Sequence, residues 1–264
     1  MELYENINYT SNIKFLISSF IREYDISKAN ITILRDKGVL SQSEYVKCFN
    51  MNKQDREKYI GLMYFKVENL DTILKQGIIE AKKMFFEANN IKDHEVLCIK
   101  NDAVFLINRV ASYTTFGNVV FNNKNTYTSY YKIFDKELYY SLDVINRFEK
   151  LDIKGISKEK IKLHESYFID FLKTLFNSAQ TDSLDNTINL LMNFYNMYIH
   201  KDLEIGYYRR FDSESRYYTQ RMGYLNNQYA LDTADYSNLD SLDISYNLNI
   251  LMELNRIYSS IYLR

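Results

Sequence analysis

Two aspartates are placed where they could do chemistry together. Asp25 closes an apolar run, residues 13–24, and leads into Ile26-Ser27-Lys28-Ala29-Asn30, which reads as the entry to a short helix. Asp102 belongs to Lys100-Asn101-Asp102, between two β-prone runs at 95–99 and 103–107. Carboxylates delivered by a strand end and by a hairpin tip can bridge Mg²⁺ or Mn²⁺ ions ~3.5–4 Å apart. Such ions activate an attacking oxygen and neutralise a leaving pyrophosphate. Asp25 and Asp102 are therefore the candidate catalytic residues and metal ligands, with Mg²⁺ or Mn²⁺ as the implied cofactor. Both also have ordinary readings, Asp25 as a helix cap and Asp102 as turn chemistry.

The elements that must position them can be read from periodicity and punctuation. Residues 13–24 form a helix or a strand that delivers Asp25, and the helix after it runs to Leu34 and stops at Asp36-Lys37-Gly38. Ser41-Gln42-Ser43-Glu44 has capping-box spacing, so a second helix follows. Residues 54–89 keep a helical period, with Leu70, Ile73, Leu74, Gly77, Ile78 and Ala81 on one stripe. The runs 95–99 and 103–107 are expected to pair as a hairpin with Asp102 in its turn. A second hairpin is expected from 110–121 to 126–134, turning at Asn122-Asn123-Lys124-Asn125. Beyond Lys154-Gly155 the pattern becomes helical, with a break near Thr181-Asp182-Ser183, a polar tyrosine-rich stretch at 201–241, and a final apolar helix at 242–263. One compact unit is expected, with a soft internal boundary near residue 155.

Three segments carry a resemblance. Tyr24-Asp25-Ile26-Ser27-Lys28-Ala29-Asn30 resembles the first palm motif of family B DNA polymerases. Lys100-Asn101-Asp102 in its hairpin resembles the third, with asparagine where the family usually has another acidic residue. Lys124-Asn125-Thr126-Tyr127 is similar to the lysine–tyrosine motif that follows the palm in protein-primed phage enzymes. The resemblance covers roughly residues 20–135. It implies an α+β fold, with a polymerase-palm-like antiparallel sheet and packed helices at 1–155 and a mostly helical, thumb-like or interaction region at 156–264. It also implies metal ligation by Asp25 and Asp102, and contact of Lys124 and Tyr127 with a primer terminus or template backbone. Lys66, Lys75, Lys82 and Lys83 are candidates to hold a triphosphate. Lys124 and Tyr127 equally suit a solvated turn and a strand aromatic.

A second feature is Tyr207-Tyr208-Arg209-Arg210-Phe211 with Arg216-Tyr217-Tyr218 and Arg221. Arginines neutralise phosphates and tyrosines stack on bases, so Tyr208, Arg209 and Arg210 are candidate nucleic-acid contacts, or else an interface for a protein partner. Codon bias is the alternative source. The chain has no proline or tryptophan but 25 tyrosines, as an AT-rich genome would produce. Its net charge is −1, so nucleic-acid binding requires local patches rather than bulk charge. Apolar runs are too short to span a bilayer, the acidic N-terminus is unlike a signal peptide, and Cys48 and Cys98 are isolated. Cytoplasmic placement, in a bacterium or a phage-infected cell, follows. Three functions remain: a polymerase-like nucleotidyltransferase, a degenerate palm that binds nucleic acid, and a non-catalytic phage or mobile-element interaction protein.

Overall fold

The alternation of side chains along residues 21–26 makes them a strand and sets which face each one serves. Tyr24 and Ile26 enter an apolar core, while Glu23 and Asp25 fall on the opposite face. A computed structural model of the chain describes residues 2–143, 145–146, 148–157, 161–162, 165–210, 224–225, 228–229 and 241–262. In order, its main elements are β1 (Asn8–Thr10), β2 (Phe15–Leu16), β3 (Ile21–Ile26), α1 (Ala29–Asp36), α2 (Gln42–Phe49), α3 (Lys53–Met63), α4 (Leu70–Asn89), β4 (Val96–Lys100) and β5 (Ala103–Ile107). They continue with β6 (Thr115–Phe116), β7 (Val119–Tyr127), β8 (Ser129–Ile133), β9 (Lys136–Asp143), β10 (Phe148–Lys154), α5 (Phe168–Thr181), α6 (Leu184–His200), β11 (Tyr224–Leu225), β12 (Gln228–Tyr229) and α7 (Ser241–Tyr262). The fold is mixed α and β with antiparallel sheets and a helical C-terminal region. Among the described residues, no helix is long and apolar enough to cross a membrane.

The chain divides into two units, one of residues 1–13 with 19–126, the other of 14–18 with 127–264. One compact unit was the sequence expectation, with a boundary at 155, and both points need correction. Gly155 marks the change from strands to helices inside the second unit, whereas the cores part at Thr126 and Tyr127. A composition shift records a change of secondary structure, and a core boundary depends on which faces pack together.

The first unit holds a six-stranded sheet in the order β1-β4-β5-β3-β7-β6. Helix α4 lays Leu70, Leu74, Gly77, Ile78, Ala81 and Phe85 into the core, the expected stripe continued by one turn. Tyr24, Ile99, Val104, Leu106, Val119 and Phe121 meet it from the sheet. Gly77 is required where α4 meets α1, because a Cβ there would collide with the Ile33 side chain. The periodic stretch beginning near residue 54 is two helices rather than one, since the chain leaves helix geometry after Met63 and re-enters at Asn69, which has φ +56°.

The second unit holds a four-stranded antiparallel sheet, β10-β9-β8-β2. Tyr131, Ile133, Leu138, Tyr140, Leu151 and Ile153 of that sheet share a core with α5, α6 and α7. The expected hairpin at Asn122–Asn125 is overturned. Those residues lie inside β7, an unbroken strand next to β3. The turns occur at Gly117 (φ +58°), between β6 and β7, and at Phe134 (φ +54°), between β8 and β9. Asparagines tolerate turn dihedrals without requiring them, and pairing with a neighbouring strand prevails here. The helix break at Thr181-Asp182-Ser183 and the terminal helix are as expected, with Ser183 capping α6 through the Asn186 amide.

Candidate functional site

Strand β3 brings Asp25 opposite Ala103 of β5, the residue next to the hairpin turn. That turn is the two-residue Asn101-Asp102, since Lys100 pairs with Ala103. Asn101 takes the left-handed conformation (φ +54°) that a tight hairpin needs and that asparagine adopts with little penalty. The register therefore brings the two carboxylates to one cleft, where the charge of Asp25 acts on Asp102. Both expected positions, the strand and the hairpin tip, are thus found.

The pairing has an electrostatic consequence. Burial, the hydrogen bond to Asp25 and the Asp25 charge push the Asp102 carboxyl up to about 7, with Lys124 opposing them. Two neighbouring carboxylates cannot both ionise cheaply without a cation. Lys124 supplies one, its Nζ lying 2.6 Å from Asp25 Oδ2. Partial burial lowers the Lys124 ammonium, but its hydrogen bond to Asp25 and the charges of Asp25, Glu23 and Asp102 outweigh that and hold it above the usual lysine value. Glu23 is buried on the same face and accepts a hydrogen bond from Asn125 Nδ2 at 2.6 Å.

These residues open on a cleft of about 590 Å³. Its walls carry Lys28, Lys53, Arg56, Lys100 and Lys124 beside Glu23, Asp25, Glu57 and Asp102. None of Lys66, Lys75, Lys82 and Lys83 lines it. Lys75 pairs with Asp71 and Lys83 with Glu87, while Lys82 is fully buried and donates to the Asn6 carbonyl. Strand period could have linked Glu23 to Asp25, because residues two apart share a face. Nothing in the sequence connects α3, the source of Lys53 and Arg56, to either aspartate. That link is tertiary.

Among the described residues, no group of three or more His, Cys, Asp and Glu side chains is arranged to hold a metal. The donor set is a pair of carboxylates within a ring of cations. Mg²⁺ commonly binds through one or two carboxylates, with waters and substrate phosphates completing its shell, so Asp25 and Asp102 fit that ion when a phosphate substrate accompanies it.

Of the other candidate contacts, Tyr127, Tyr208 and Arg209 are buried. Tyr127 is fully buried and donates its hydroxyl to Asp152 Oδ2 at 2.9 Å, so it is a core tyrosine rather than a primer contact. Tyr208 is fully buried as well, its hydroxyl accepting from the Leu203 amide and donating to the Met197 carbonyl. Arg209 is 7% exposed, too little for a phosphate-binding face. Arg210 sets its guanidinium over the Tyr246 ring, 4.2 Å from the centroid. For Tyr127 and Tyr208 these are corrections with one cause. Large aromatic surfaces are best buried, and a chain without tryptophan builds its core from tyrosine. The rest of that run, 211–221 with Arg216, Tyr217, Tyr218 and Arg221, lies outside the described residues. Cys48 and Cys98 are free and buried, so no disulfide joins them.

The fold and site define a mixed α/β protein with an acidic pair at a hairpin tip, set in a cation-lined cleft. The chain belongs to the family of the bacteriophage PBS1 gene 130 protein, whose pattern it matches over residues 1–260. No curated protein matches it.

Proposed function

We propose that this phage-family protein is a reduced, palm-type nucleotidyltransferase that acts on nucleic acid through a divalent cation at Asp25 and Asp102. One observation carries this reading. Strand pairing sets the strand-end aspartate, Asp25, opposite Ala103, the neighbour of the hairpin-tip aspartate, Asp102, and both line a cleft rich in lysine and arginine. A pair of carboxylates of which one is raised by burial and by the other is an arrangement that phosphoryl transfer uses.

Each part of the cleft has a task in that chemistry. Asp25 and Asp102 would hold Mg²⁺ or Mn²⁺, which, when bound, polarises the phosphoryl group and lowers the pKa of an attacking hydroxyl. Lys53 and Arg56 on α3 line the same cleft and suit the negative charge of a phosphate chain, while the Lys28 ammonium donates to the Phe49 carbonyl and lies over the Phe49 ring. Asp102 in its protonated form would release its proton to solvent as the cation arrives, leaving both carboxylates anionic. Lys100 and Lys124, near the hairpin, suit a nucleic-acid backbone.

The test is nucleotide incorporation on primer–template DNA and RNA with Mg²⁺ or Mn²⁺. Asp25→Asn and Asp102→Asn should each lower it by at least about a hundredfold, the rate equivalent of several kcal/mol of lost charge stabilisation. In parallel, anisotropy over a salt series should show nucleic-acid binding that weakens as salt rises, and further with Lys53→Ala and Arg56→Ala combined. Absence of both transfer and binding at ~50 mM salt would leave the interaction-protein reading, since phosphate contacts are strongest at low salt.

A further inference from the structure

The contact between Lys124 and Asp25 sets up a competition. The Lys124 ammonium lies 2.6 Å from Asp25 Oδ2, the carboxylate that a cation at this site needs. An ammonium and a divalent ion next to one carboxylate also repel each other directly. Strand β7 holds the Lys124 backbone beside β3, so the amine is tethered within reach of Asp25 rather than drawn from solution. Its side chain is 55% exposed, which lets the four-carbon stem turn toward water while the strand stays paired. Asn125, the next residue, donates its amide to Glu23, while Lys124 pairs with Asp25.

We propose that Lys124 is a built-in competitor for the divalent cation at Asp25, an ammonium that occupies the site until the ion displaces it. The inference rests on the reading of Asp25 and Asp102 as metal ligands. Loading the ion then requires the Lys124–Asp25 pair to open, and the freed ammonium is left at the mouth of the cleft, where an anionic substrate would meet it.

Mn²⁺ titration of the full-length chain, followed by calorimetry and by the electron paramagnetic resonance of the free ion, tests this. Lys124→Met and Lys124→Gln should bind Mn²⁺ about five- to tenfold more tightly than the wild type. The lower figure is the upper value of a solvent-exposed ion pair, and relief of cation repulsion adds to it. Lys124→Arg, which keeps a tethered cation, should bind as the wild type does. Thermal unfolding without Mn²⁺ verifies that each variant is folded, and the two neutral variants guard against loss of one. Unchanged or weaker binding by both neutral variants, with the wild type still binding, would overturn the competition and spare the metal reading. Arginine behaving like methionine would also overturn it, because charge would then not be the cause. If no variant binds Mn²⁺ either alone or with inorganic pyrophosphate present, the competition and the metal site fall together.

Discussion

At Asp102 the relevant quantity is the difference between the folded and the unfolded carboxyl. In the unfolded chain it titrates near ~4, and in the folded chain burial and Asp25 raise it to about 7. Between those values the unfolded state has already released the proton that the folded state still holds, so stability falls as pH rises from ~4 to ~7 and levels off above. The expected outcome is that Asp102→Asn, which cannot ionise, gains stability relative to the wild type across that window. Urea unfolding at several pH values, without metal, measures it. A constant difference between the two proteins from pH 4 to 8 would show that Asp25 and Asp102 are not coupled. Lys82 illustrates the opposite sign, since burial lowers its ammonium to about 8 against the opposing charge of Asp102. Of the site residues, Asp25 and Asp102 were legible because a strand end and an Asn-Asp turn leave local marks. Tyr208 and Arg209 were misread because no local mark separates a buried tyrosine from a stacking one.

At the scale of elements, two contacts can be tested by single substitutions. The Ser41 hydroxyl accepts from the Glu44 amide at 3.3 Å and the Glu44 carboxylate accepts from the Ser41 amide at 2.9 Å, which closes the capping box of α2. Ser41→Ala should therefore cost about 1 kcal/mol in denaturant unfolding. Gly77→Ala is the sharper case. By helix propensity alone it should stabilise α4 by ~1 kcal/mol. Because the new methyl would collide with Ile33, net destabilisation by ~1–3 kcal/mol is expected instead, and a net gain would show that α1 can shift away. Strand β7 shows why the expected second hairpin failed. Asn122 to Asn125 carry turn-compatible side chains, yet pairing of β7 beside β3 engages their backbone and brings Lys124 to Asp25. A turn at that place would have removed the lysine from the site.

For the molecule as a whole, two cores imply two centres of stability. Phe85 stacks on Phe121 in the first, with ring centroids 4.3 Å apart, and Leu172 is fully buried in the second. Phe85→Ala should cost ~3–5 kcal/mol and Leu172→Ala ~2–5 kcal/mol. Hydrogen exchange followed by mass spectrometry should place the lost protection of Phe85→Ala mainly in β3, α4, β4 and β5. The lost protection of Leu172→Ala should fall mainly in α5, α6, β8 and β9. Equal loss throughout the chain in either variant would mean that the two cores unfold as one.

By itself, the sequence determined the local features: the β4–β5 strands, the Asn101-Asp102 turn, the α2 cap, the α4 stripe and the paired helices after Gly155, while it left the element before Asp25 open between helix and strand. Each depends on periodicity or on a residue's own dihedral preference, and both act over a few neighbours. The tertiary structure alone decided that Lys124 pairs with Asp25, that Lys53 and Arg56 of α3 line the same cleft, and that the tyrosines at 127 and 208 are core. It also decided where one core ends and the other begins. Those outcomes depend on which faces pack across long stretches of chain, and such packing is selected by the total area buried rather than by any short run of residues.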